Sequence, residues 1–266
     1  MWFNKSNKPE NIEVTARKII NESTPFAIRE AFSSLCTNIL YLPIEDKCKK
    51  IVITSAFSGE GKTYIALNLA ITLAKNLSDK RILLIDLDMR NPSATRIINT
   101  LYPNISTTSG LSEYLAGLSN TPEFVNTEYS NLSVLFAGAE STNPAGLINS
   151  ARMSELLSRC NNLFDYVIID SPPVTLVTDA TLLVGKVNGY IIATKSDYSN
   201  VNSVSEAIET LEAIGAQIYG TVLCDLNLKK NGRYGRYGKY GKYGKYGKYG
   251  KYGAYNRYNR YNVYDK

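Results

Sequence analysis

The stretch Ile51-Val52-Ile53-Thr54-Ser55-Ala56-Phe57-Ser58-Gly59-Glu60-Gly61-Lys62-Thr63 runs from an apolar, β-branched strand through a glycine-interrupted turn into a helical pattern. A phosphate-binding loop requires this order. Gly59 and Gly61 let backbone amides turn inward around phosphate oxygens, and the helix that follows presents its positive end to the same anion. Lys62 is placed to reach the β- and γ-phosphates of ATP, and Thr63 to give its hydroxyl to Mg²⁺. Ser58, Gly59, Glu60, Gly61, Lys62, Thr63 and Tyr64 are therefore the expected nucleotide contacts. Ala56 stands where the usual pattern has its first glycine. A tight turn at a helix start can use the letters Gly-Glu-Gly-Lys-Thr, but the strand and helix on its flanks favour the phosphate loop.

Two further apolar runs end in acids. Ile82-Leu83-Leu84-Ile85-Asp86-Leu87-Asp88-Met89-Arg90 carries two carboxylates one residue apart, and strand alternation points both to one side, at the end where α/β proteins bind ligands. Val167-Ile168-Ile169-Asp170-Ser171-Pro172-Pro173 ends in a third. A single Asp after a strand is ordinarily a cap or loop residue. Three on two strand ends beside a phosphate loop point to a metal-assisted site.

Short apolar runs at 51–54, 82–87, 132–136, 166–170, 190–194 and 218–224 alternate with helical patterns at 63–77, 144–160 and 200–214. This order predicts a doubly wound α/β fold around a mostly parallel sheet, of the P-loop NTPase type. A helical lead-in is expected over 25–40, with Thr24 as N-cap and Pro25 at the first helical position. The chain of 266 residues, 44% hydrophobic, suits one domain over 1–228 followed by a tail over 229–266. The formal charge of +6 is unevenly spread, because the tail holds 12 of the 30 Lys and Arg against one acid, Asp265. It carries +11, which leaves −5 for the rest.

Four scattered cysteines and the absence of histidine exclude a zinc site of the usual kind and suggest reduced thiols. The N-terminal residues lack the apolar core of a signal peptide, and no apolar stretch approaches the ~18–20 residues that span a bilayer. A cytoplasmic protein is expected, reaching a membrane only through a partner or its basic tail.

In that tail, glycine recurs at every third position from Gly232 to Gly253, and tyrosine does so at Tyr234, Tyr237, Tyr240, Tyr243, Tyr246, Tyr249, Tyr252, Tyr255, Tyr258, Tyr261 and Tyr264. Without an apolar pattern the segment cannot bury a core and is expected to be disordered. Its lack of proline and its eight glycines argue against a collagen helix. Eleven tyrosines beside a phosphoryl-transfer motif read as built-in phosphoacceptors.

The combination of Ser55 to Thr63, Leu84-Ile85-Asp86-Leu87-Asp88-Met89-Arg90 and Ile168-Ile169-Asp170-Ser171-Pro172 resembles the bacterial tyrosine kinases of capsule and exopolysaccharide export. In that family these motifs are Walker A, A′ and B. Gly110-Leu111-Ser112-Glu113-Tyr114-Leu115-Ala116-Gly117 and Asn143-Pro144-Ala145-Gly146-Leu147 extend the likeness over nearly the whole chain. The resemblance implies phosphoryl transfer from Mg-ATP to tyrosine, with Lys62, Asp86, Asp88 and Arg90 as catalytic residues and Thr63, Asp86 and Asp170 around the metal. Asp86 would also accept the phenol proton. It implies the split form of the family, with a separate transmembrane activator, a polysaccharide co-polymerase protein, and a phosphotyrosine phosphatase as partners.

Four positions depart from the family pattern. Ser58 replaces a proline. Ser33 and Cys36 replace both arginines of the Glu-x-x-Arg-x-x-Arg motif that assembles homo-oligomeric rings, and Cys224 replaces an asparagine expected near the nucleotide base. Positioning ATPases of the MinD and ParA type are the first rival, but they carry a signature lysine where this chain has Phe57. A nucleotide-dependent scaffold with a nucleic-acid-binding tail is the second. Basic runs are usually solvated, and no nucleic acid is expected as partner.

Overall fold

The structure is a computed structural model that describes residues 18–103 and 109–225. The chain divides into two units, Met1–Asn227 and Leu228–Lys266. The expected disordered tail and its eleven tyrosines, Tyr234 to Tyr264, lie outside the described residues.

The first unit is built on a seven-stranded sheet. Its strands are β1 (Lys49–Ser55), β2 (Ile82–Asp86), β3 (Val125–Asn126), β4 (Leu132–Leu135), β5 (Tyr166–Asp170), β6 (Gly189–Lys195) and β7 (Ile218–Cys224), in the spatial order β3-β4-β2-β5-β1-β6-β7. Every pairing is parallel except β3 with β4. All six expected strands are present; only the two-residue β3 was not anticipated.

Strand alternation divides the core into two layers. Ile51 and Ile53 of β1, Leu84 of β2, Ile168 of β5 and Ile191 of β6 face one side, while Val52, Leu83 and Ile85, Val167 and Ile169, and Tyr190 and Ile192 face the other. Both faces are apolar because helices cover both, which is why these strands read as continuous apolar runs. The first side is covered by α1 (Phe26–Leu40), α2 (Lys62–Asn76) and α3 (Ser93–Leu101). The second is covered by α4 (Leu111–Leu115), α5 (Pro144–Ile148), α6 (Ala151–Leu163) and α7 (Val201–Glu212). The helix α2 is buried nearly all round, from Lys62 to Ala74 with the exception of Tyr64. It lies between the sheet and α1, whose Phe32 meets the Tyr64 ring edge-on at 5.7 Å. No helix among the described residues is long and apolar enough to cross a membrane.

Several expectations are corrected locally. The Thr24 hydroxyl accepts from the Asn21 amide instead of capping α1, and Pro25 takes the cap position with φ −53° and ψ 139°. The single helix expected over 144–160 is two, because Ser150 accepts from the Met153 amide and starts a new helix, as Asn143 does for α5. Such side chains compete with the helical ladder and favour its ends. The helix α3 was missed, although Ala94, Ile97, Ile98 and Leu101 have its 3.6-residue period.

Asn131 ties the sheet to the end of α2: its Nδ2 lies 3.1, 3.0 and 3.0 Å from the carbonyl oxygens of Ala74, Leu77 and Lys80. Replacing Asn131 with Ala strands these helix-end acceptors and should lower stability by about 1–2 kcal/mol. Urea unfolding will read this as a shifted midpoint, with nucleotide affinity unchanged.

Candidate active site

The order β2-β5-β1 brings three chain segments together at one end of the sheet. The parallel register pairs Asp86 with Asp170, and Asp170 also pairs with Ile53 of the strand that enters the phosphate loop. All three candidate acids lie within this buried patch, with Asp86 and Asp170 fully inaccessible and Asp88 4% exposed.

Between β1 and α2 the chain passes through Gly59 (φ 83°) and Gly61 (φ 91°), both left-handed. Neither tolerates a side chain well. A Cβ on Gly61 would stand 3.0 Å from the Cys224 sulfur, and one on Gly59 would stand 3.2 Å from the Tyr198 hydroxyl. The first helical bond of α2 runs from the Ile65 amide to the Gly61 carbonyl at 2.9 Å. The amides of Gly61 to Tyr64 therefore have no carbonyl behind them in the helix and are available to an anion. Lys62 sits at that helix start, its ammonium 3.8 Å from Asp88 Oδ2.

The acids are held differently. Asp86 Oδ2 accepts from the amide and the hydroxyl of Thr95, each at 2.7 Å, and Oδ1 accepts from the Asp88 amide at 3.2 Å. Asp88 Oδ1 accepts from the Asn91 amide at 2.9 Å. β2 ends at Asp86, so a turn, marked by the bond from the Met89 amide to the Leu87 carbonyl, carries Asp88 to its place instead of continued strand alternation. The carboxylate oxygens of Asp170 are both buried, and among the described residues no group meets them in hydrogen-bonding geometry. Burial pushes the carboxyls of Asp86 and Asp170 above the ordinary range, more strongly at Asp170. The Thr95 bonds favour ionised Asp86, whereas Asp170 has the Lys62 charge and, more weakly, the nearby Thr63 hydroxyl to oppose its desolvation. Asp88 is raised as well, by burial, with Lys62 opposing.

The expected nucleotide contacts divide. Lys62 and Thr63 are buried at the helix start. The Glu60 carboxylate turns inward, accepting from the Phe57 amide at 2.7 Å and from the Ser199 hydroxyl. The Tyr64 ring packs toward α1, which leaves its backbone facing the loop. Arg90 is joined not to the Asp86 cluster but to buried Asp179, with Nε 3.1 Å and Nη2 3.2 Å from the two carboxylate oxygens. Sequence reasoning missed Thr95, which sits on the unanticipated α3, and the partnership of Asp179 with Arg90. Cys36, at an expected arginine position of the ring motif, faces the core under α1. All four thiols are free, and burial pushes those of Cys36, Cys160 and Cys224 up to about 12.

Among the described residues no three His, Cys, Asp or Glu side chains cluster into a metal cage. Mg²⁺ does not require one, since it keeps several waters and binds through one or two carboxylates plus substrate phosphates. The unpartnered Asp170 carboxylate beside Thr63 has the chemistry of such a ligand.

A phosphate loop facing paired strand-end carboxylates defines a P-loop phosphoryl-transfer enzyme, and relatives narrow the class. The family model described as an AAA domain matches residues 48–222. Tyrosine-protein kinase CpsD of Streptococcus pneumoniae serotype 4 is 34% identical over 203 residues, 76% of this chain and 86% of that protein. The kinase domain of Escherichia coli tyrosine kinase ETK has a TM-score of 0.67 at 28% identity, over 78% of this chain and 82% of that one. MinD of Pyrococcus furiosus, at 23% identity and a TM-score of 0.54, shares the fold alone. The chain belongs to the bacterial tyrosine-protein kinases, and it is an ATP-using protein-tyrosine kinase.

Because burial raises the Asp170 carboxyl, the folded chain retains a proton that the unfolded chain releases as pH climbs from the ordinary carboxylate range. The stability this group contributes is complete below that range and declines as pH rises to the folded value. Thermal unfolding of the nucleotide-free protein between about pH 5 and about pH 8 should show this decline, and Asp170→Asn should flatten it.

Proposed function

We propose that this kinase uses its own tyrosine cluster, Tyr234 to Tyr264, as principal acceptor and that the modification regulates synthesis and export of a capsular or exopolysaccharide. The observation that carries this reading is the pairing of Asp86 with Asp170 at adjacent strand ends beside the phosphate loop, whose Lys62 meets Asp88, in a chain that also bears eleven evenly spaced tyrosines.

Thr63 and Asp170 would hold Mg²⁺, which when bound would supply positive charge to offset that of the phosphates. The amides at the start of α2 and the Lys62 ammonium bind the β- and γ-phosphates and stabilise the charge that grows on them. Asp86, fixed by Thr95, would receive the phenol proton, and Asp88, held by Lys62 and the Asn91 amide, would orient metal-bound water. A loose transition state draws more on positioning and charge neutralisation than on proton removal. Lys62 should therefore matter at least as much as Asp86. Arg90, anchored by Asp179, presents a guanidinium that is 41% exposed, suited to an incoming phosphate or acceptor.

Each phosphotyrosine adds about −1.5 to −2 charges, so complete modification takes the tail from +11 to roughly −5 to −11. Such a reversal would release an acidic partner or dissociate an assembly. A transmembrane activator would recruit the chain to the inner face of the membrane, and a phosphotyrosine phosphatase would reset the tail.

Incubation with Mg-ATP, with and without an activator segment, followed by intact-mass measurement should show multiple phosphates on the tail. Lys62→Ala should reduce their rate of appearance by about 10²–10³-fold. Hydrolysis of ATP with an unmodified tail in the presence of activator would overturn the proposal.

A further inference from the structure

Glu60 is a puzzle in a loop that binds polyanions. It is 1% exposed and lies in the phosphate loop itself, where a carboxylate facing outward would repel the nucleotide. Two donors hold it inward. The Phe57 amide reaches Oε2 at 2.7 Å, and the Ser199 hydroxyl reaches Oε1 from the loop between β6 and α7. The same Ser199 oxygen accepts from the Lys195 amide at 2.8 Å, so its proton is directed toward Glu60. Beside it the Tyr198 hydroxyl donates to the Ser58 carbonyl at 3.0 Å and so occupies that acceptor.

The donor loop is itself braced. The Ser196 amide bonds to the Cys224 carbonyl at 3.0 Å, the Ser199 amide to the Lys195 carbonyl at 2.9 Å, and the Asn200 side chain caps α7. Its hydroxyls are therefore in place before any ligand arrives.

We propose that Ser199 and Tyr198 are positioning residues for the nucleotide, forming a latch that keeps the Glu60 carboxylate and the Ser58 carbonyl out of the space the phosphates occupy. The latch rests on ATP binding at the phosphate loop, and acts on affinity for ATP more than on the chemical step. Charge is the heart of it. Without the Ser199 hydroxyl, Glu60 loses its donor from the neighbouring loop and can swing toward the phosphates.

The test is calorimetric titration of the full chain with Mg-ATP, alongside kinase assays, for wild type, Ser199→Ala, Ser199→Thr, Tyr198→Phe and the double variant Ser199→Ala/Glu60→Gln. Ser199→Ala should weaken ATP about tenfold and raise KM accordingly, with kcat at saturating ATP changed by less than about twofold. Ser199→Thr, which keeps the hydroxyl, should bind as wild type does, and Tyr198→Phe should lose about threefold. The double variant should regain most of the affinity lost by Ser199→Ala, because an amide does not repel phosphate. A merely structural role for Ser199 would not be rescued by neutralising Glu60. Unchanged affinity in Ser199→Ala, or no recovery in the double variant, overturns the latch. Failure of the wild type itself to bind ATP overturns the nucleotide reading on which the latch rests.

Discussion

Asp86 and Asp170 stand side by side at the carboxyl ends of adjacent parallel strands, sealed from water, with one buried ammonium, Lys62, in their field. Negative charge gathered in this way is costly unless it is bonded or neutralised. Thr95 and the Asp88 amide satisfy Asp86, whereas among the described residues Asp170 has only the Lys62 charge and the nearby Thr63 hydroxyl to offset its burial. A proton or a cation must supply what the side chains do not. The local architecture creates this arrangement: β5 lies between β1 and β2, α2 begins with Lys62, and α3 brings Thr95 to Asp86.

The phosphate loop gains its shape from its neighbours more than from its own residues. From one side the segment after β5 reaches it: the Ser171 hydroxyl bonds to the Ile53 carbonyl at 3.1 Å, the Val174 amide to the Ser55 carbonyl at 2.9 Å, and the Thr175 hydroxyl to the Ala56 carbonyl. From the other side come Tyr198 and Ser199. Asp170 and the phosphate loop are thus parts of one braced unit, and a distortion of either strand end reaches both. Ala56 can replace the usual first glycine because, within the phosphate loop, positive φ falls at Gly59 and Gly61 and not at Ala56.

Much of this was legible in the sequence because the governing signals are local. A strand buried on both faces reads as an unbroken apolar run, and each of the six anticipated runs became a strand. The phosphate loop and the three acids announced themselves through residue type at strand ends. What escaped depends on contacts between distant segments. Nothing near Glu60 indicates that Ser199, far along the chain, turns its side chain inward, and nothing near Arg90 points to Asp179. The break between α5 and α6 was readable in principle from Asn149 and Ser150, but the apolar periodicity on both sides concealed it. At the start of α1, the Asn21 amide takes the hydroxyl expected to cap the helix, a local competition that residue type alone does not resolve.

The strand order also has a temporal side. β1 pairs with β5 and β6, which are made more than a hundred residues later, while β2 pairs with β5 and β4. During synthesis from the N-terminus, the phosphate loop and the Asp86-Asp88 pair therefore emerge long before the strand that must be inserted between them. A nascent chain that ends before residue 166 contains both motifs but has neither Asp170 nor the central strand, and its β1 has two open edges. The strand order thus leaves the site incomplete until β5 is made, and until then the unpaired edges of β1 and β2 are open to unwanted pairing.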